Sequence, residues 1–147
     1  MNEDCFHLGV KALIRNGKGE LLLLKVNPQE LTEHKGDAYW DIPGGRIHKG
    51  DTVEATLKRE IEEETGITSL TSFRPFRMAL STIRIPTGGG ESVGLILAVY
   101  LCEVGAISKI RLSSEHTDFG WFVPKEASRL LEFKYPREFT DQIAGMI

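Results

Sequence analysis

The stretch "GGRIHKGDTVEATLKREIEEETGI", Gly44 to Ile67, decides how this chain is read. A glycine pair and a short basic loop run into a segment crowded with acids. Val53, Leu57 and Ile61 recur every four residues, the spacing of one face of an α-helix. Asp51 precedes Thr52-Val53-Glu54, an acid-x-x-Glu arrangement suited to capping the free N–H groups of a helix start. Gly66 supplies the stop. On such a helix, residues three and four apart are neighbours. Glu60 and Glu64 therefore stack beside the apolar stripe, and Glu63 joins them from the other side. Lys58 and Glu62 face solvent; Glu54 and Glu62 read as ordinary solubilising acids.

Three carboxylates at the margin of a buried stripe are costly. A like-charge pair on an exposed helix costs a few tenths of a kcal/mol, and burial raises the penalty to several kcal/mol per ion. A divalent cation removes that cost. An all-oxygen donor set, with no cysteine or paired histidine, favours Mg²⁺ or Mn²⁺ over Zn²⁺. Arg59 is the internal partner expected to hold one carboxylate in place.

The segment resembles the Nudix box, G-x5-E-x7-R-E-U-x-E-E-x-G-U, where U is a bulky aliphatic residue. Gly45 is the first glycine, Arg59-Glu60 the Arg-Glu pair, Ile61 the aliphatic position, Glu63-Glu64 the paired acids, Gly66 the second glycine and Ile67 the closing residue. Asp51 stands where the pattern has Glu; it is shorter by a methylene yet still an acid at the loop–helix junction. His48 occupies a free position of the pattern and reads as a surface histidine. The flanks fit as well: an extended "YWDIPGG" leads into the box, and Glu115 lies a few residues ahead of Trp121.

The resemblance implies a mixed β-sheet sandwiched between α-helices, an α/β (α+β) fold with a loop–helix–loop motif, and a single domain over residues 1–147. It implies metal-dependent hydrolysis of a nucleoside diphosphate linked to another moiety. Carried over position by position, it makes Glu60 and Glu64 the main metal ligands and Glu63 a further one. The backbone carbonyl of Gly44 or Gly45 is another candidate ligand, and Arg59 orients a glutamate. Asp51 and Gly66 support the motif. The general base lies between a box glutamate, Glu63 or Glu64, and a later-loop acid. Glu115 is the candidate for that acid, as base or extra ligand, against an ordinary loop glutamate; His116 is the alternative base. Mg²⁺ or Mn²⁺ is the expected cofactor.

The rest of the chain bounds the reading. Its 147 residues and net charge of −3 argue against broad binding to a nucleic acid polymer or an anionic membrane. The longest apolar run, "VGLILAVYLC", is far short of the ~20 residues that span a bilayer and reads as a buried strand. Two distant cysteines, Cys5 and Cys102, carry neither a disulfide framework nor zinc spacing. With no signal pattern in "MNEDC", a cytoplasmic location is expected. "HLGVKALIR" and "ELLLLKV" flank "NGKG" as a hairpin. "NPQELTEHKGDA" reads as a long loop, and Pro75 marks an edge or bulge. "SSEHTDFG" reads as a loop before a short "WFV" strand. Pro124 and Pro136 each open a helix as its first residue.

Substrate is less legible. The zinc cysteines of NADH-type members and the coenzyme A signature are absent. A nucleoside triphosphate is the favoured substrate, and an ADP-ribose-like nucleotide sugar comes next. Tyr39, Trp40 and Phe76 are candidates for stacking a base, against core packing for Trp40 and Phe76. Arg77, with Arg74 and Arg84, and Lys25 with Lys35, are candidates for phosphate contact, against plain solvation. A nucleotide-binding sensor without turnover is the alternative function. A homodimer stays open; the stripe Tyr135, Phe139, Ile143 and Met146 is expected to cover the domain's own sheet.

Overall fold

The computed structural model describes residues 2–27, 37–105 and 109–146. Most of the long loop expected at Asn27 to Ala38, Lys35 included, lies outside the described residues. Strands β1 (Phe6–Arg15) and β2 (Leu21–Val26) are joined by the expected turn. Asn16 Oδ1 accepts from the backbone N–H groups of Lys18 and Glu20, and Gly19 takes the left-handed φ of 79°. The hairpin is brief, however, with Arg15 opposite Leu21 as its ladder.

The strands then part. β1 runs parallel to β7 (Glu91–Val104), from Phe6 opposite Gly94 to Arg15 opposite Glu103. Its other edge takes the short antiparallel β4 (Gly44–Arg46). β2 pairs antiparallel with β3 (Trp40–Asp41) and β8 (His116–Phe122). β5 (Leu70–Leu80) lies antiparallel on β7 and ends the sheet, whose path is β3-β2-β1-β7-β5. β6 (Ile85–Gly88) folds back on β7 through Gly88, Gly89 and Gly90, all at positive φ. The register of β5 slips between Pro75 and Arg77. A proline has no N–H for a ladder, so an edge strand is where one is tolerated.

Helix α1 (Val53–Thr65) covers one face, and α2 (Pro124–Leu130) with α3 (Arg137–Ala144) covers the other. This two-faced cover explains the leucine run of β2. Successive side chains point to opposite faces. Leu21 and Leu23 join Leu131, Phe139 and Ile143; Leu22 and Leu24 join Leu57 and Ile61. The result is the expected α+β mixed sheet between helices. Tyr135, Phe139 and Ile143 are buried against the sheet, and Met146 packs beside them.

Two expectations need correction. The segment read as a loop, Ser113 to Gly120, is a strand from His116 onward. Its backbone finds partners on β2, with Asp118 opposite Lys25 and Gly120 opposite Leu23. A polar strand stabilised by a distant ladder leaves no hydrophobic pattern in its own sequence. Pro136 is the residue before α3 rather than its first, whereas Pro124 does open α2. Among the described residues, no helix is long and apolar enough to cross a membrane.

Candidate functional site

Helix α1 is anchored at both ends by the residues around it. Its N-cap is Thr52, whose Oγ1 accepts from the Ala55 N–H at 3.1 Å. The expected cap, Asp51, does something else. Its carboxylate accepts from Arg59 Nη1 at 3.2 Å. Arg59 Nη2 lies 3.7 Å from Glu60 Oε1, so the guanidinium ties the loop before the helix to a helical glutamate. Gly66, at φ 79°, closes the helix through its N–H to the Glu62 carbonyl.

The glycine pair sets how closely β4 approaches these acids. The Gly44 N–H donates to Glu64 Oε2 at 2.8 Å. A Cβ at Gly44, where φ is +151°, would lie 2.2 Å from the Val10 carbonyl oxygen. A Cβ at Gly45 would lie 2.7 Å from Glu60 Oε1. Each glycine thus leaves space that another group needs.

Burial divides the three helical acids. Glu64 is 3% exposed, Glu60 is half-buried, and Glu63 is exposed. The expectation that all three lose hydration is therefore corrected for Glu63, which acts on Glu60 through its charge. β8 supplies what α1 lacks. Its first residue, His116, places Nε2 3.6 Å from Glu64 Oε1. Glu64, Glu115 and His116 each offer a ligand atom within 4.8 Å of the other two.

The electrostatics follow from this crowding. Burial pushes the Glu64 carboxyl up to about 8, with the charges of Glu60 and Glu115 adding to the shift. Lys11 and the Gly44 N–H pull the other way and are outweighed. Burial, then Glu63, also raises Glu60, over the opposing charge of Arg59. Burial, then Lys11, lowers His116 to about 4. At neutral pH, His116 is therefore an uncharged imidazole with a lone pair to offer, and its Nδ1 is buried without a hydrogen bond. Hard carboxylate oxygens that repel one another, beside one neutral imidazole, form a donor set suited to a divalent cation.

A second buried cluster includes Lys11, the β1 residue paired with Gly44 of β4. Asp41, 3% exposed, takes Lys11 Nζ at 3.2 Å and Lys134 Nζ at 2.7 Å on its Oδ2. Its Oδ1 accepts from the Tyr135 hydroxyl at 2.5 Å and the Ile42 N–H at 2.7 Å. Burial alone would raise this carboxyl, but the two ammonium groups and the hydrogen bonds outweigh it and hold Asp41 well below the usual range. Lys11 and Lys134 reach a cleft that Tyr39, Gly44, Gly45 and Leu97 also line. The acids do not line it themselves; Gly44 and Gly45, which touch Glu64 and Glu60, do.

The other expected substrate contacts fall elsewhere. Tyr39 lines the cleft and packs 4.6 Å from the Phe133 ring. Phe76 instead meets Phe139 edge-on at 5.9 Å, and Arg77 Nη1 donates to Gln142 Oε1 at 3.1 Å. Both sit on β5 against α3, outside the cleft lining, because the bulge at Pro75 sets β5 facing that helix. Trp40 packs edge-on to Phe122, under Lys25. Arg74 and Arg84 already have the carboxylates of Glu103 and Asp4. Sequence reasoning missed Lys11, Asp41, Lys134 and Tyr135. The signal was there for two of them: "VKALI" and "WDI" each place a charge inside an apolar run.

Comparisons with known proteins agree on one family. A family model described as NUDIX domain matches residues 6–143. The chain is 30% identical over 91 residues to nucleoside triphosphatase NudI of Escherichia coli K12, covering 59% of this chain. The match spans 63% of that relative, less than two thirds of its length. The crystal structure of a MutT protein from Methanosarcina mazei Go1 superposes with a TM-score of 0.69 at 28% identity, over 97% of this chain and 96% of that one. The E. coli dihydroneopterin triphosphate pyrophosphohydrolase shares the fold, with a TM-score of 0.68 at 15% identity over 94% of this chain and 96% of that one.

Proposed function

The chain belongs to the Nudix family, and from that premise we propose that it is a divalent-metal-dependent pyrophosphohydrolase. Its substrate is a nucleoside diphosphate linked to another moiety, first a (deoxy)nucleoside triphosphate and next an ADP-ribose-like nucleotide sugar. The likeness to a nucleoside triphosphatase favours that order. The observation that carries the reading is the buried Glu64. It sits beside Glu115 and His116 and accepts from the N–H of Gly44, a residue that lines the cleft.

In this reading Glu60, Glu64 and Glu115 hold Mg²⁺ or Mn²⁺, with His116 as a further donor. A bound cation neutralises phosphate oxygens and makes the attacking water more acidic. Arg59 holds Glu60 in position and keeps the α1 entry closed against Asp51. Glu63, exposed and adjacent, contributes through bound water. Glu63, or Glu115 where it does not serve as a ligand, would take the proton of the attacking water as a phosphoanhydride P–O bond breaks. Tyr39 and the two lysines contact the substrate. Residues 1–147 act as one Nudix domain, in the cytoplasm, on small nucleotides rather than on a nucleic acid polymer.

The test is turnover of a nucleotide panel with Mg²⁺, read by product mass. The panel holds nucleoside triphosphates, ADP-ribose, other nucleotide sugars and dinucleoside polyphosphates. One preferred substrate, lost on adding EDTA, is the expected result. Tight binding without metal-dependent turnover would replace the hydrolase with a nucleotide sensor.

A further inference from the structure

The inner part of the cleft has an unusual polar character. Lys11 and Lys134 rest on the same oxygen, Asp41 Oδ2, so their ammonium groups form one donor head. Each ammonium has three N–H donors and no acceptor. Asp41 occupies one donor from each in the hydrogen bonds above. The acceptor capacity of Asp41 is itself engaged: Oδ2 by the lysines, Oδ1 by Tyr135 and Ile42. What this cluster turns toward the cleft is therefore donor-only.

The surroundings of that head are mainly apolar. Tyr39, Ile83, Ile85, Leu95 and Leu97 share the cleft with the lysines, and Arg46 lines it too. A phosphate there would pair with the lysines but has no apolar surface with which to cover those walls. A planar ring with a polar edge fits both features at once, burying its faces and presenting its edge to the lysines. The Gly44–Gly45 end, beside Glu64 and Glu60, is left for the phosphates.

We propose that Lys11 and Lys134 select the nucleobase. They accept a ring whose distal edge carries a keto oxygen, a 6-oxopurine or a 4-oxopyrimidine, and disfavour one with an exocyclic amine there. This rests on the hydrolase reading only for the orientation of the phosphates. A keto oxygen, or the O6 and N7 pair of guanine, accepts from lysine. The amine of adenine or cytosine sets donor against donor and leaves buried N–H groups without partners. Asp41 is the positioning residue that holds the two ammonium groups together.

The experiment measures equilibrium binding in Ca²⁺ and turnover in Mg²⁺ for dGTP, dITP, TTP, dATP and dCTP, with inorganic tripolyphosphate as the base-free probe. The keto nucleotides are expected to bind about tenfold or more tightly than the amino ones, the low end of what a well-placed donor pair yields. dITP should match dGTP, since it keeps O6 and N7 without the 2-amine. Lys134→Gln, which supplies an acceptor as well as a donor, should bring the two classes toward parity and leave tripolyphosphate binding unchanged. Equal binding of all bases by the natural protein, or tighter binding of the amino ones, would overturn the proposal. So would a Lys134→Gln loss as large for tripolyphosphate as for dGTP, which would make the lysines an anion site. A keto preference in binding with no turnover would retire the hydrolase reading and leave this one standing. Turnover without base ranking would do the reverse.

Discussion

Asp41 and Glu64 are equally buried, each 3% exposed, and both feel the charge of Lys11, yet their carboxyl groups behave oppositely. Asp41 has its counter-charges built into the chain, Lys11 and Lys134, and is held ionised well below the usual range. Glu64 lies among further acids and a neutral histidine; Lys11, already paired with Asp41, is outweighed there, and burial raises Glu64 to about 8. Desolvation opposes ionisation at both. The difference is whether the compensating charge is covalently supplied. Where it is, the carboxylate organises the fold around it. Where it is not, the site keeps a proton or takes a cation from outside.

Substitution should separate the two. Glu64→Gln is expected to lower kcat/KM by roughly a hundredfold or more, because it removes a carboxylate ligand of the cation that would activate the attacking water. The amide resembles the protonated acid and still accepts from Gly44, so thermal unfolding without metal at neutral pH should barely move. A large loss of stability with retained turnover would invert the comparison. Asp41→Ala should do the opposite first. It leaves two buried ammonium groups without their partner, a loss of about 3–5 kcal/mol, read from urea unfolding.

A pH series sharpens the contrast. In EDTA, the raised Glu64 binds a proton in the folded protein that the unfolded chain releases above about 4.5, its ordinary value. Stability from this group therefore falls as pH rises toward 8. His116, lowered to about 4 from an ordinary 6.5, works in the other direction between those values. The Glu64 effect is thus cleanest from pH 6.5 to 8, where stability should decline. Asp41 contributes stability above its ordinary 3.8 that disappears only as pH falls below it. Saturating Mg²⁺ should abolish the decline and release protons on binding, measured by titration calorimetry in buffers of different ionisation enthalpy. A flat metal-free profile over that window would remove the basis for the contrast.

The smallest expected effect is at Gly45. Gly45→Ala places a methyl 2.7 Å from Glu60 Oε1, at a backbone position without positive φ. The side chain of Glu60 can swing away, so the fold should survive while Mg²⁺ affinity drops about tenfold, the lower end for disturbed ligand support. Unchanged Mg²⁺ affinity would remove Glu60 from the donor set.

Local chemistry is what the sequence determined alone. The span of α1, its apolar stripe, its glycine stop, the edge proline of β5 and the grouping of acids on one helix all follow from spacing within a few residues. The family resemblance reads from the same short stretch. The tertiary structure decided everything that depends on residues far apart in the chain. It put Thr52 in the cap and freed Asp51 for Arg59. It turned the polar run after Ser113 into a strand, which carries His116 to Glu64. It gathered Lys11, Asp41, Lys134 and Tyr135, from β1, β3 and the α2–α3 connection, around one carboxylate. Burial also separated Glu63 from Glu64, adjacent residues of the same type. Side-chain type and spacing are properties of the chain; desolvation and the identity of the nearest opposite charge exist only once distant segments meet.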